Sequence, residues 1–172
     1  VPGNGGRPRL EAVLAPSPER REPVCRHFGT CGGCQLQHLA IEAYREWKRG
    51  LVVEALGREG IDAAVDPLVT LPTAARRRAV FTAARTGRGV AFGFLMRDSA
   101  SVVDIAECPV LAPAVATKLD ALRGLANLLA PARGVLKLAV LACDNGLDVA
   151  ATLPARPGQR QADMALAIAG EA

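Results

Sequence analysis

Aromatic residues are scarce in this 172-residue chain, which has one Trp, one Tyr and four Phe. Readers of single-stranded nucleic acid usually stack bases on exposed rings, so this scarcity argues against a self-sufficient stacking platform. No apolar run approaches the roughly 20 residues of a membrane-spanning helix, and no basic, apolar, small-residue leader opens the sequence. No glycine-rich loop follows a strand pattern to cradle a nucleotide cofactor. Internal repeats and sustained low-complexity tracts are lacking too. Acid is missing from one long stretch: between Asp66 and Asp98 there is none, while Arg76, Arg77, Arg78, Arg85, Arg88 and Arg97 all fall there. Such a single-sign stretch on a hairpin can face phosphates through planar guanidinium forks, a solvated strand face being the plain alternative. The net charge of +4 permits a polyanionic partner without requiring one.

Half of the residues are apolar, enough for one core, and a single main domain is the default. Three of the five cysteines are gathered in Cys25-Arg26-His27-Phe28-Gly29-Thr30-Cys31-Gly32-Gly33-Cys34, and a fourth stands in Cys108-Pro109. Thiolates select zinc or iron-sulfur centres, and the two glycines let the loop curl until its sulfurs face one object. Structural zinc sites usually come as two close pairs, whereas three close cysteines plus a remote Cys-Pro is the layout of many cubane clusters. The spacing therefore points first to a 4Fe-4S cluster. Zinc stays open, with His27 or His38 able to replace Cys108, and a redox dithiol is the third reading. Cys143 lies on an apolar run and reads as core. Cysteines grouped as ligands fit a reducing cytoplasm better than a disulfide scaffold.

Residues 7–14 have strand character, and Pro16-Ser17-Pro18 with the charged run behind it reads as a linker. Over 39–56, Ala40, Tyr44, Trp47, Leu51 and Ala55 recur at helical spacing, which makes Tyr44 and Trp47 packing residues rather than base platforms. Strands are expected over 79–85, 90–96 and 101–105, the first two joined by Thr86-Gly87-Arg88-Gly89. A second helix is expected over 112–129, with Val115, Leu119, Leu122, Ala126 and Leu129 on one face. Strands over 135–142 and 147–153 flank Asp144-Asn145-Gly146, the strongest hairpin signal. Residues 164–169 can start a helix or a strand. The fold class expected is α+β: antiparallel hairpins with two main helices, closed by a metal-cluster loop.

The run from Cys25 to Cys34 continues as Gln35-Leu36-Gln37-His38. After it come Glu46-Trp47-Lys48, Arg76-Arg77-Arg78-Ala79, Phe92-Gly93-Phe94, Val102-Val103-Asp104-Ile105 and Cys108-Pro109-Val110-Leu111. Motifs and order together closely resemble the cluster domain of the iron-sulfur RNA uracil-5-methyltransferases, which make 5-methyluridine in ribosomal or transfer RNA. The resemblance implies a 4Fe-4S cluster on Cys25, Cys31, Cys34 and Cys108. It also implies an S-adenosylmethionine site, a nucleophilic cysteine and a general base in a C-terminal doubly wound domain. None of these is expected in this chain, and Cys143 stands in no motif of the catalytic kind.

The expectation is thus a fragment with no methyl-transfer activity of its own. Residues 1–17 would be a remnant strand of an N-terminal RNA-binding barrel plus linker, 18–160 the cluster domain, and 161–172 the lead into an absent catalytic domain. RNA is the expected partner, ribosomal ahead of transfer RNA, met by Arg76, Arg77, Arg78, Arg85 and Arg88. Arg76 has a structural alternative, pairing with Asp104 or Glu107. A cytoplasmic monomer without membrane contact is expected. The alternative function is a stand-alone metal-binding RNA module without catalysis, and a redox or electron-transfer cluster protein comes third.

Overall fold

Every second residue of the strand Arg78–Thr86 (β1) from Ala79 through Phe81 to Ala83 is buried, the signature of a sheet with one face on a core. In the computed structural model, which describes residues 10–171, β1 lies at the centre of a five-stranded antiparallel sheet. Gly89–Leu95 (β2), Val102–Asp104 (β3), Leu136–Cys143 (β4) and Gly146–Thr152 (β5) complete it in the order β3-β2-β1-β4-β5. Registers bring apolar residues face to face across the strands: Ala83 with Phe92 and Leu136, Phe81 with Leu138, and Ala79 with Val140. Phe81 packs its ring 4.9 Å from Phe92 and 5.2 Å from Phe94, so three of the four phenylalanines form the centre of the core.

The helices Pro113–Ala116 (α2) and Leu119–Leu129 (α3) supply the other half of that core. Pro113 starts α2, where its missing N–H costs nothing. Val115, Leu119, Leu122, Leu125, Ala126 and Leu129 are all buried, each large one contributing roughly 1.5–3 kcal/mol. The single helix expected over 112–129 is thus two, broken at Thr117-Lys118, and the expected apolar face holds with Leu125 added. The segment open to either fate is a helix, Gln159–Glu171 (α4), whose partner is α3: the Gln161 amide donates to the Leu128 carbonyl, and Ala165 and Ile168 meet the core. Both hairpins form as expected, with Thr86 Oγ1 bridging the β1–β2 turn to Gly89 O at 3.1 Å and Cys143 facing Gly146 in the other.

The chain divides into two units, one of Val24–Gln35 with Thr70 onward, the other of residues up to Pro23 with Leu36–Val69. The sheet, its helices and the cysteine loop make the first. The second holds the helix Ile41–Arg58 (α1), two residues displaced from its expected start at 39. Here the packing expectation fails, because no residue of α1 is buried; Trp47 is 46% exposed, and Leu51 and Ala55 are exposed as well. Among the described residues of its own unit α1 is the only helix and there is no named strand, so that unit supplies its apolar stripe with no second layer. Tyr44 and Trp47 instead flank the Lys48 ammonium, 5.8 and 5.5 Å from their ring centres. Residues 10–14 form no strand, and the remainder of the strand expected over 7–14 lies outside the described residues.

Candidate metal centre and nucleic-acid interface

The cysteine loop is built as a chain of tight turns against the end of β2. The Phe28 amide donates to the Cys25 carbonyl at 3.0 Å, and the amides of Thr30 and Cys31 both donate to the His27 carbonyl, at 3.2 and 2.8 Å. Gly29, with φ of 88°, makes the reversal that a side chain would strain. Cys31 then pairs with Met96 as a one-residue antiparallel bridge. The Gly32 amide donates to Leu95 O at 2.9 Å and the Arg97 amide donates back to Thr30 O at 2.9 Å. A Cβ on Gly32 would lie 3.1 Å from Leu95 O, so its role is close backbone approach rather than simple curling. The Gly33 amide points at Cys31 Sγ from 3.4 Å, and the Arg97 guanidinium donates to Cys34 O at 3.4 Å.

Cys108 comes to the same unit along β3. Its carbonyl accepts from Leu111 N at 3.2 Å, while Arg76 bridges Leu111 in parallel through Val110 O and Ala112 N. Burial pushes the Cys108 thiol above its ordinary value; the charges of Cys34 and Cys25 add to the rise, and backbone hydrogen bonds from Val110 and Leu111 oppose it. Cys108 is therefore within electrostatic reach of Cys34 and of Cys25, and both Cys31 and Cys108 pack against the core. No three of His, Cys, Asp and Glu among the described residues are gathered closely enough to hold a metal ion. Cys143 stands at the end of β4, half-buried rather than core as expected, its Sγ only 3.9 Å from Leu141 O.

Sequence reasoning missed Arg123. It donates to Asp104 Oδ1 at 2.6 Å and to Ile105 O at 2.6 Å, and its guanidinium lies 5.6 Å from the centre of the Phe92 ring. The Phe92 amide also donates to Asp104 Oδ1 at 3.1 Å. Helix α3 thereby holds the strand that delivers Cys108. The only signal in the sequence was a single basic residue on the mainly apolar helix α3. Arg123 and Arg26 also take the partners expected for Arg76, Arg26 pairing with Glu107 at 3.0 Å.

Burial alone would raise the Asp104 carboxyl, yet the Arg123 and Phe92 hydrogen bonds, with the charges of Arg123 and His27, hold it below its ordinary value. A lowered carboxyl stabilises the fold above its unfolded-state pKa, and that contribution is lost as pH falls through the folded value. Acid titration should therefore cost the parent more stability below about pH 4 than Asp104→Asn. Identical acid limbs would show that the pair contributes nothing. Because Asp104 is more than half exposed, the difference is expected to stay below about 1 kcal/mol.

The arginines divide by what their side chains do. Arg77 donates to Ala142 O at 3.0 and 2.8 Å and lies 3.5 Å from Asp144, fastening β1 to the end of β4. Arg85 donates to Ala130 O at 3.1 Å, past the end of α3. Arg76, Arg78 and Arg88 are exposed, Arg78 opposite Leu141 and Arg88 in the β1–β2 turn. No helix of the described residues is long and apolar enough to cross a membrane.

Over 146 residues the chain is 51% identical to an uncharacterized RNA methyltransferase of Brucella suis, a match to 85% of this chain and 35% of that protein. An uncharacterized RNA methyltransferase of Mesorhizobium japonicum is 44% identical over 155 residues, covering 90% of this chain and 37% of that one. The 23S rRNA (uracil(1939)-C(5))-methyltransferase RlmD of Halomonas elongata is 41% identical over 141 residues, covering 80% and 29%. The chain spans about a third of the length of the curated relatives it matches. No protein-family model matches it.

Proposed function

The chain belongs to the RNA methyltransferase family, and from that premise we propose that it is the metal-cluster part of an enzyme that methylates C5 of uracil in RNA, ribosomal RNA first. The supporting observation is the 41% identity over 141 residues to a named ribosomal uracil-C5 methyltransferase. Methyl transfer needs a donor site, a nucleophile for uracil C6 and a base for the C5 proton; no residue of this chain is assigned to any of them. S-adenosylmethionine is the proposed methyl donor, and this chain alone is proposed to be inactive.

Cys25, Cys31, Cys34 and Cys108 are the residues that would hold a 4Fe-4S cluster. The donor set fits: four soft thiols, of which Cys108 feels the charges of Cys34 and Cys25, two of them packed on the core, with an amide aimed at Cys31 Sγ. A single zinc ion, with bonds of about 2.3 Å, would need its thiolates drawn to within about 4 Å of each other. A cubane spans more, and its thiolates can stand farther apart. When bound, the cluster supplies covalent links between the 24–35 loop and the strand leading to Cys108. The chain itself places both partners: Leu95 and Arg97 fix the loop, and Arg123 fixes the strand. RNA phosphates would then be met first by the exposed Arg76, Arg78 and Arg88.

Purified without oxygen, the chain should carry about four iron atoms with matching acid-labile sulfide. Stoichiometric zinc without sulfide would overturn the cluster assignment. For the RNA surface, Arg76→Gln, Arg78→Gln and Arg88→Gln should each reduce the slope of log affinity against log salt by about 0.7 on single-stranded RNA. Slopes equal to the parent's would remove those arginines from the interface.

A further inference from the structure

His27 lies within the cysteine loop, and its Nε2 is buried without a hydrogen-bond partner. A buried ring nitrogen in that state is costly, so a native fold normally gives it a partner, and when it carries the proton that partner is an acceptor. The backbone around it is fixed: its carbonyl takes the amides of Thr30 and Cys31, which puts the imidazole on the turn joining Cys25 to Cys31. Its charge is felt at Asp104, on the strand that leads to Cys108. Asp104 does not take the Nε2 proton, since its carboxylate is turned to Arg123 and the Phe92 amide. The candidate ligands at the two ends of this turn, Cys25 and Cys31, carry sulfur acceptors.

Resting on the cluster reading above, we infer that His27 is a positioning residue whose Nε2–H donates a hydrogen bond to a sulfur of the bound cluster, either a cysteine thiolate or an inorganic sulfide. It is not a ligand to iron. Hydrogen bonds to cluster sulfurs favour the more negative, reduced state and raise the reduction potential. The bond thus sets how readily the cluster takes an electron, and it leaves the iron count unchanged.

The test uses the chain purified without oxygen, with iron counted first. A parent without iron and sulfide would end the cluster reading and this inference together, before any variant is made. With the cluster present, His27→Phe keeps the ring volume and removes the N–H; it should retain the iron and shift the one-electron equilibrium about tenfold toward the oxidised state, about 59 mV more negative. His27→Gln, which restores an N–H, should recover much of that shift. An unchanged potential in His27→Phe overturns the inference, and loss of iron from both variants makes His27 a ligand instead. A second measurement needs no variant of His27. Histidine is present only twice, so ¹⁵N-histidine labelling in His38→Asn isolates His27 for pulsed paramagnetic resonance of the reduced cluster. A weak nitrogen coupling supports a hydrogen bond. Coupling of iron-bound strength, or none at all, refutes it.

Discussion

Cys108→Ser is expected to reduce iron from about four atoms per chain to well below one, while Cys143→Ser keeps the full complement. The two thiols differ in place. Cys108 follows a strand held by Arg123 and senses the charges of Cys25 and Cys34, whereas Cys143 ends β4 beside Leu141 O. The serine variant should still give a sheet signal, because Phe81, Phe92, Leu136 and Leu138 form the core without any thiol. Its thermal midpoint should nonetheless fall well below the parent's, since metal-binding free energy is also folding free energy. Equal iron in the two variants would remove Cys108 from the site.

Gly93→Ala should be the most damaging single-methyl change in the sheet. A Cβ there would stand 2.2 Å from Val103 O and 3.0 Å from two Ile105 carbons. The nearest obstacle is backbone, so relief requires moving β3 away from β2 rather than turning a side chain. The cost should be about 3 kcal/mol, a fall of about 10 °C in the midpoint of heat denaturation. Because Gly93 faces Asp104, the shift would also move the segment that carries Cys108, and iron retention should weaken with stability. Full stability in Gly93→Ala would mean that β2 and β3 are not held this closely. Gly89→Ala, at a turn with open space around it but φ of 125°, should cost less.

Much of the sheet was legible because its signals are local. Asp144-Asn145 between two apolar runs and Thr86-Gly87-Arg88-Gly89 each specify a hairpin, and both form. The face of α3 was equally legible from its spacing, and its break at Thr117-Lys118 was not. The helix α1 shows the opposite case: a pattern at helical period gave the helix correctly but said nothing of whether a second layer exists to bury it. Of the candidate metal centre, the four thiols were proposed from their spacing and the resemblance alone. What fixes them was hidden, because Gly32 against Leu95 and Arg123 on Ile105 are contacts between distant parts of the chain. The arginine run was seen as one charge patch, yet Arg77 and Arg85 spend their donors on carbonyls of β4 and of the segment after α3. A composition count cannot separate a guanidinium bonded to backbone carbonyls from one that is not.

The docking of the 24–35 loop on Leu95–Arg97 also dictates an order of events during synthesis. The loop emerges first, but its template on β2 and its fourth thiol on Cys108 emerge only after the whole of Leu36–Val69 and the first hairpin. Closing so distant a contact is slow relative to zipping a hairpin. Under the proposed cluster reading, the thiols of Cys25, Cys31 and Cys34 would wait on the nascent chain, open to oxidation and to the wrong metal, until β3 arrives. On that same proposal, delivery of metal before that point would meet an incomplete ligand set, so loading would be coupled to translation having passed Cys108.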